Sequence, residues 1–191
     1  MASKAVQMVF VVLDAIGLMG VIACCALPEW IVGHYGDLEV HGGLWMACVK
    51  RRTGLQLCET YESFEQISPP HGSRAVTVIS CTLGILSLLL LFFGSDFTPC
   101  VQNQDTKPKM ILAAGVGLIL AGLLVIIPVS WHSNNMRNIP VLVVGVMLGP
   151  SIYIGFVAGL MLMLTGGLLC YLSRSRSSSS GGAASFFSNR V

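Results

Sequence analysis

Apolar residues along the chain gather into long runs separated by short polar segments. Ala75 to Ser95 carries no charge, nor does Met110 to Met136, nor the stretch from Asn138 to Ser173. Each can supply about 20 apolar residues, enough to cross a hydrocarbon layer about 30 Å thick. Within the last stretch Gly149-Pro150 interrupts a β-branched run, and proline suits a first helical turn, so the fourth span is expected at 151–172. At the amino end Ala5 to Leu27 has the same character, broken only by Asp14. The rival reading of that run is a cleaved leader. Its apolar stretch exceeds the usual length, only Lys4 precedes it, and three further spans need the same solvent. Backbone groups in hydrocarbon must be satisfied within their own segment, so the spans are helices, predicted at 6–27, 75–95, 110–129 and 151–172.

Composition agrees. Of 191 residues 54% are hydrophobic and only 10% charged, against about 25% charged in soluble domains, and the mean hydropathy is +0.77. The net charge of +2 is too small to point to a nucleic-acid partner, and no long basic stripe exists. Four spans place both termini on one side. Lys4, Lys107, Lys109, Arg174, Arg176 and Arg190 lie there in short segments (1–5, 96–109, 173–191), while Lys50, Arg51, Arg52, Arg74 and Arg137 lie opposite in longer loops (28–74 and 130–150). That density places the termini in the cytosol. Cys48 and Cys58 form the one cysteine pair in a polar loop, and a disulfide there needs the oxidising, outer side. The tail from Ser173, rich in serine and glycine, is expected to be disordered.

The first outer loop holds two short-range features. Gly42-Gly43-Leu44-Trp45 stands just before Cys48, and closing Cys48 on Cys58 makes a small ring worth roughly 3 kcal/mol in the chain-entropy picture. Leu38 to Val40 and Leu44 to Val49 suit short strands, Arg51-Arg52-Thr53-Gly54 suits a hairpin turn, and Val141 to Val146 suits a further strand from the second outer loop. Glycine and alanine at four-residue spacing, Gly155 with Gly159 and Gly117 with Ala121, allow close approach of helices. The Trp30, Gly43-Leu44-Trp45, Cys48, Cys58 series resembles the signature of the claudin family. Ala26-Leu27-Pro28, Arg74, Ile127-Pro128-Val129-Ser130-Trp131 and Gly167-Leu168-Leu169-Cys170 extend the likeness to nearly the whole chain before the tail. Resemblance implies an all-α, left-handed four-helix membrane bundle with a small extracellular antiparallel β-sheet. It also implies a multi-pass plasma-membrane protein of tight junctions, polymerising with itself and other claudins into strands that seal or selectively conduct between cells. A four-span relative of the myelin-protein or auxiliary-subunit type, and a transmembrane ion route through Asp14, are the rival readings.

Particular residues follow, the pore charges from the same likeness and the others from their place in the membrane. Glu59 directly after the second cysteine, with Tyr61 two residues on, matches claudins that form cation pores; Arg51, three residues past Cys48, is a second pore-charge candidate. Arg74, where the loop meets the second span, is expected to pair with a loop acid or to bind carbonyls and so fix the sheet on the bundle. Trp30 and Trp45 read as anchors at the bilayer surface. Asp14, costly in a span, is expected to face the bundle and accept from Ser80 or Thr82. Cys100 and Cys170 are juxtamembrane candidates for palmitate. A terminal Val191 carboxylate suits strand addition to a PDZ scaffold of zonula occludens type, without the usual tyrosine before the valine. His34, His41, His71 and His132 are scattered, no ligand cluster has metal spacing and no glycine loop cradles phosphate, so neither enzyme, metal nor cofactor is expected.

Overall fold

Residues 4–60, 71–95, 106–137 and 145–184 are described by the computed structural model. Four helices carry the apolar runs: α1 Lys4–Ala26, α2 His71–Gly94, α3 Lys107–Arg137 and α4 Pro150–Ala184. Their segments Lys4–Ala26, Gly72–Gly94, Thr106–Asn134 and Pro150–Arg174 are long and apolar enough to cross a membrane. One end of the bundle carries a five-stranded sheet of β1 Ile31–Tyr35, β2 Leu38–Gly42, β3 Met46–Arg51, β4 Gln56–Thr60 and β5 Gly145–Leu148. Its order is β4-β3-β2-β1-β5, antiparallel throughout.

Two helices outrun their predicted spans at the carboxyl end. α3 continues from 129 to Arg137, into the segment read as the second outer loop, because no helix breaker occurs until Pro140. α4 continues to Ala184, where the sequence suggested a disordered tail; once nucleated, a helix needs only one new hydrogen bond for each residue it fixes. The strand expected at 141–146 is found at Gly145–Leu148, with Val141 to Val144 outside the described residues. β1 and β4 were not anticipated. Gly36 and Gly54, with φ of 58° and 86°, stand in the β1–β2 and β3–β4 turns.

Helix packing rests on close backbone approach. A Cβ placed on Gly166 meets the Gly115 carbonyl at 2.6 Å, and one on Gly122 meets the Gly159 carbonyl at 2.6 Å, so α3 and α4 touch along glycines. Gly155 packs on Cys24 of α1, and Gly117 on Ser87 of α2. Polar side chains add cross-links: Ser80 donates to the Ala121 carbonyl at 2.7 Å and Ser173 to the Pro108 carbonyl at 3.0 Å. Asp14 is 1% exposed. It accepts from Thr165 of α4, not from Ser80 or Thr82 as the sequence suggested. Those hydroxyls point elsewhere, Ser80 to α3 and Thr82 back to the Ile79 carbonyl.

Adjacent glycines supply an internal control. Nothing lies within 4 Å of a Cβ built on Gly167. Gly166→Leu is therefore expected to destabilise the bundle by about 1–3 kcal/mol through overpacking, while Gly167→Ala is neutral or gains up to about 1 kcal/mol from helix propensity; thermal unfolding in detergent measures both.

Candidate functional site

A helix leaves its last four carbonyls without intrahelical donors. At the sheet end of α1 these are the carbonyls of Ala23, Cys24, Cys25 and Ala26. The Leu27 amide takes Ala23 at 2.9 Å, the Trp30 indole N–H takes Cys24 at 2.7 Å, and the Trp45 indole N–H takes Cys25 at 3.0 Å. Two tryptophans of the ectodomain thus cap the membrane helix. Trp30 is buried rather than lipid-facing: at 2% exposure it lies in the core, edge-on to His132 of α3 with ring centroids 5.2 Å apart. Trp45 keeps an exposed flank.

Arg74 completes the attachment. Its Nε donates to the Leu44 carbonyl at 2.9 Å, and its guanidinium stands 5.8 Å from the Trp45 ring centroid. Of the roles expected for Arg74, carbonyl binding is seen among the described residues. Leu44 is 1% exposed, and Gly43 before it lies so close to Pro28 that any Cβ would collide with that backbone. Beyond the signature, Gly149 presses on Glu29, whose carbonyl accepts from the Ser151 amide at the start of α4. His132 and Thr165 were missed. His132 follows Trp131 of the quoted motif directly, and Thr165 is the one threonine of the fourth apolar run, so each had a usable signal.

Cys48 and Cys58 face each other across β3 and β4 and are joined. The register then sorts the sheet into two faces, since opposed residues share a side. One face holds Cys48, Cys58, His41, Glu39, His34, Lys50 and Gln56. On it Glu39 lies 3.7 Å from His34 and 3.9 Å from His41. The other holds Ile31, Leu38, Val40, Val49 and Leu57, with Glu59 and Arg51 as the charged residues the strands contribute. Glu59 stands opposite Ala47 on the fully exposed strand β4. Arg51 is four residues beyond Ala47 on β3, so the two positions are about 14 Å apart along the backbone. Lys50 points to the opposite face.

The remaining candidates separate from this site. Cys170 is half-buried, its thiol 3.9 Å from the Leu112 carbonyl, and a Cβ on Gly115 would meet its sulfur at 2.8 Å. It faces α3. Tyr61, Cys100 and Val191 lie outside the described residues. Among the described residues no group of three or more His, Cys, Asp or Glu is arranged to hold a metal ion.

Fold and site together define a four-helix membrane protein whose disulfide-closed sheet is latched to the bundle by tryptophan, glycine and arginine. The profile of the PMP-22/EMP/MP20/Claudin family matches residues 4–169. Claudin-4 of Homo sapiens is 36% identical over 182 residues, covering 89% of this chain and 87% of that protein. Claudin-4 of Bos taurus is 37% identical over 183 residues, covering 90% and 88%, and claudin-like protein ZF-A89 of Danio rerio is 36% identical over 182, covering 89% and 88%. The chain belongs to the PMP-22/EMP/MP20/Claudin family, on its claudin side. It is a claudin-like, multi-pass tight-junction protein of a structural rather than enzymatic family.

Removing the Arg74 contact tests the latch. Arg74→Met keeps the aliphatic stem and deletes a hydrogen bond from a charged donor, so a loss of about 1.5–3 kcal/mol is expected. Comparing thermal unfolding of the variant and the wild type in detergent measures it.

Proposed function

We propose that the protein assembles side by side with itself and with other claudins, the sheet outside the cell and both termini in the cytosol. The sheet face bearing Glu59 then lines a paracellular path that prefers cations. The observation that carries this reading is the placement of Glu59: an exposed carboxylate on the open edge strand, with Lys50 turned to the other face. Arg51, the other strand charge of that face, is about 14 Å away along the backbone. A carboxylate about 5 Å from a passing ion, at an effective dielectric near 20, contributes roughly 3 kcal/mol before screening. Tenfold discrimination needs about 1.4 kcal/mol.

On the cytosolic side the Val191 carboxylate is the element we assign to a PDZ scaffold of zonula occludens type, by strand addition. A sealing role is the second reading, favoured by the apolar stripe of Val40, Val49 and Leu57 beside Glu59. Dilution potentials across an epithelial layer expressing the protein decide between the two. For a cation path, Glu59→Gln lowers the sodium-to-chloride permeability ratio several-fold and Arg51→Gln changes it much less. An unchanged ratio in Glu59→Gln, with high resistance kept, selects the seal.

A further inference from the structure

At the bundle end opposite the sheet, α1 and α3 begin, α2 ends and α4 passes out of its span. A narrow cleft lies between all four helices there, lined by Phe10 of α1, Leu91 of α2, Pro108 and Ile111 of α3, and Leu169 and Leu172 of α4. Its hydroxyls are already engaged, Ser95 with the Leu91 carbonyl at 2.6 Å and Ser173 with the Pro108 carbonyl at 3.0 Å. What the cleft offers a ligand is therefore apolar surface. The bilayer core holds no water to fill such a space, and the solvent at hand is hydrocarbon chain.

The mouth of the cleft is basic. Lys109 follows the lining residue Pro108, Arg174 follows the lining residue Ser173, and Lys4 stands one turn before the lining residue Gln7. All three side chains are exposed, and none forms an ion pair with another described residue. α1 and α3 both open on lysine with no acidic residue in the first turn, the reverse of what the helix dipole favours. The segments 1–5, 96–109 and 173–191 together hold six basic residues against two acids, Asp96 and Asp105. A negative charge seated at this mouth relieves both the crowded cations and the two helix ends.

We propose that the cleft is a binding site for one anionic phospholipid, an acyl chain lying against Leu172 and Ile111 and the headgroup held by Lys4, Lys109 and Arg174. Apolar lining and basic mouth select for the two halves of the same molecule, which a free anion or a neutral lipid each match only in part. The leaflet concerned is cytosolic in the orientation proposed above, and only the name of that leaflet rests on that reading.

The test uses full-length protein in detergent with phosphatidylserine and phosphatidylcholine at equal concentration, and native mass spectrometry to count the lipid each protein molecule retains. Micelles have no leaflets, so the result does not depend on which way the protein inserts; epitope accessibility in intact cells reads that separately. Wild type is expected to retain one phosphatidylserine in preference to phosphatidylcholine by about fivefold or more. The combined Lys4→Gln, Lys109→Gln, Arg174→Gln variant brings the two lipids near parity, while Lys50→Gln with Arg52→Gln, at the sheet end, keeps the preference. Leu172→Trp, which fills the cleft, lowers retention of both lipids. Equal retention by wild type, a preference that survives loss of the three cations, or full retention in Leu172→Trp overturns the proposal. Displacement of the lipid by inorganic phosphate alone overturns it as well, since the cations then serve a free anion.

Discussion

Everything outside the membrane in this protein hangs from the unsatisfied carbonyls at the end of one helix. A helix terminus in or near hydrocarbon cannot rely on water, and each carbonyl left alone there costs free energy. α1 meets this constraint by borrowing donors from the ectodomain: the indoles of Trp30 and Trp45 reach the Cys24 and Cys25 carbonyls. An indole N–H is a donor only, and the ring around it is apolar, so tryptophan can cap at the bilayer boundary and pack in the same stroke. The same two contacts therefore complete the helix and dock the sheet.

The rest of the site is built outward from that joint. Gly43 lets the chain pass over Pro28 so that Leu44 can be buried and Trp45 can turn toward α1. Arg74 holds the Leu44 carbonyl and covers the Trp45 ring, so the stem of α2 closes on the stem of α1. Trp30 continues into β1, whose partner β5 leads through Gly149 into α4. With β1 fixed, antiparallel register carries the order across to β4, four strands from β5, where Glu59 stands exposed. Position on that edge is what turns an ordinary surface carboxylate into a candidate for ion selection.

Much of this was legible in the sequence. Four apolar runs, three of them uncharged, and the even span count pointed to the bundle, since only helices satisfy their backbone in lipid, and Trp30, Gly43-Leu44-Trp45, Cys48 and Cys58 marked the ectodomain and the family. What stayed hidden was the direction in which side chains point. Trp30 looked like a surface anchor because tryptophan is common at bilayer interfaces, yet it serves as an interior cap; nothing in one chain tells an indole that meets lipid from one that meets a carbonyl. The partner of Asp14 was equally out of reach, because choosing Thr165 over Ser80 requires knowing that α1 neighbours α4 along that face. The helices α3 and α4 run past the spans read from the sequence because charge and polarity mark where the membrane stops, and a helix does not have to stop there.

Replacing Trp30 and Trp45 by phenylalanine, singly and together, keeps the apolar rings and removes the N–H donors. Amide hydrogen exchange of the full-length protein in nanodiscs then reads the sheet and the helices separately. Each lost cap leaves a carbonyl worth about 1–3 kcal/mol unsatisfied. The account predicts exchange in β1 to β4 faster by roughly five- to thirtyfold or more for each substitution, with the interiors of the four helices unchanged. Sheet protection equal to wild type in the double variant would contradict it.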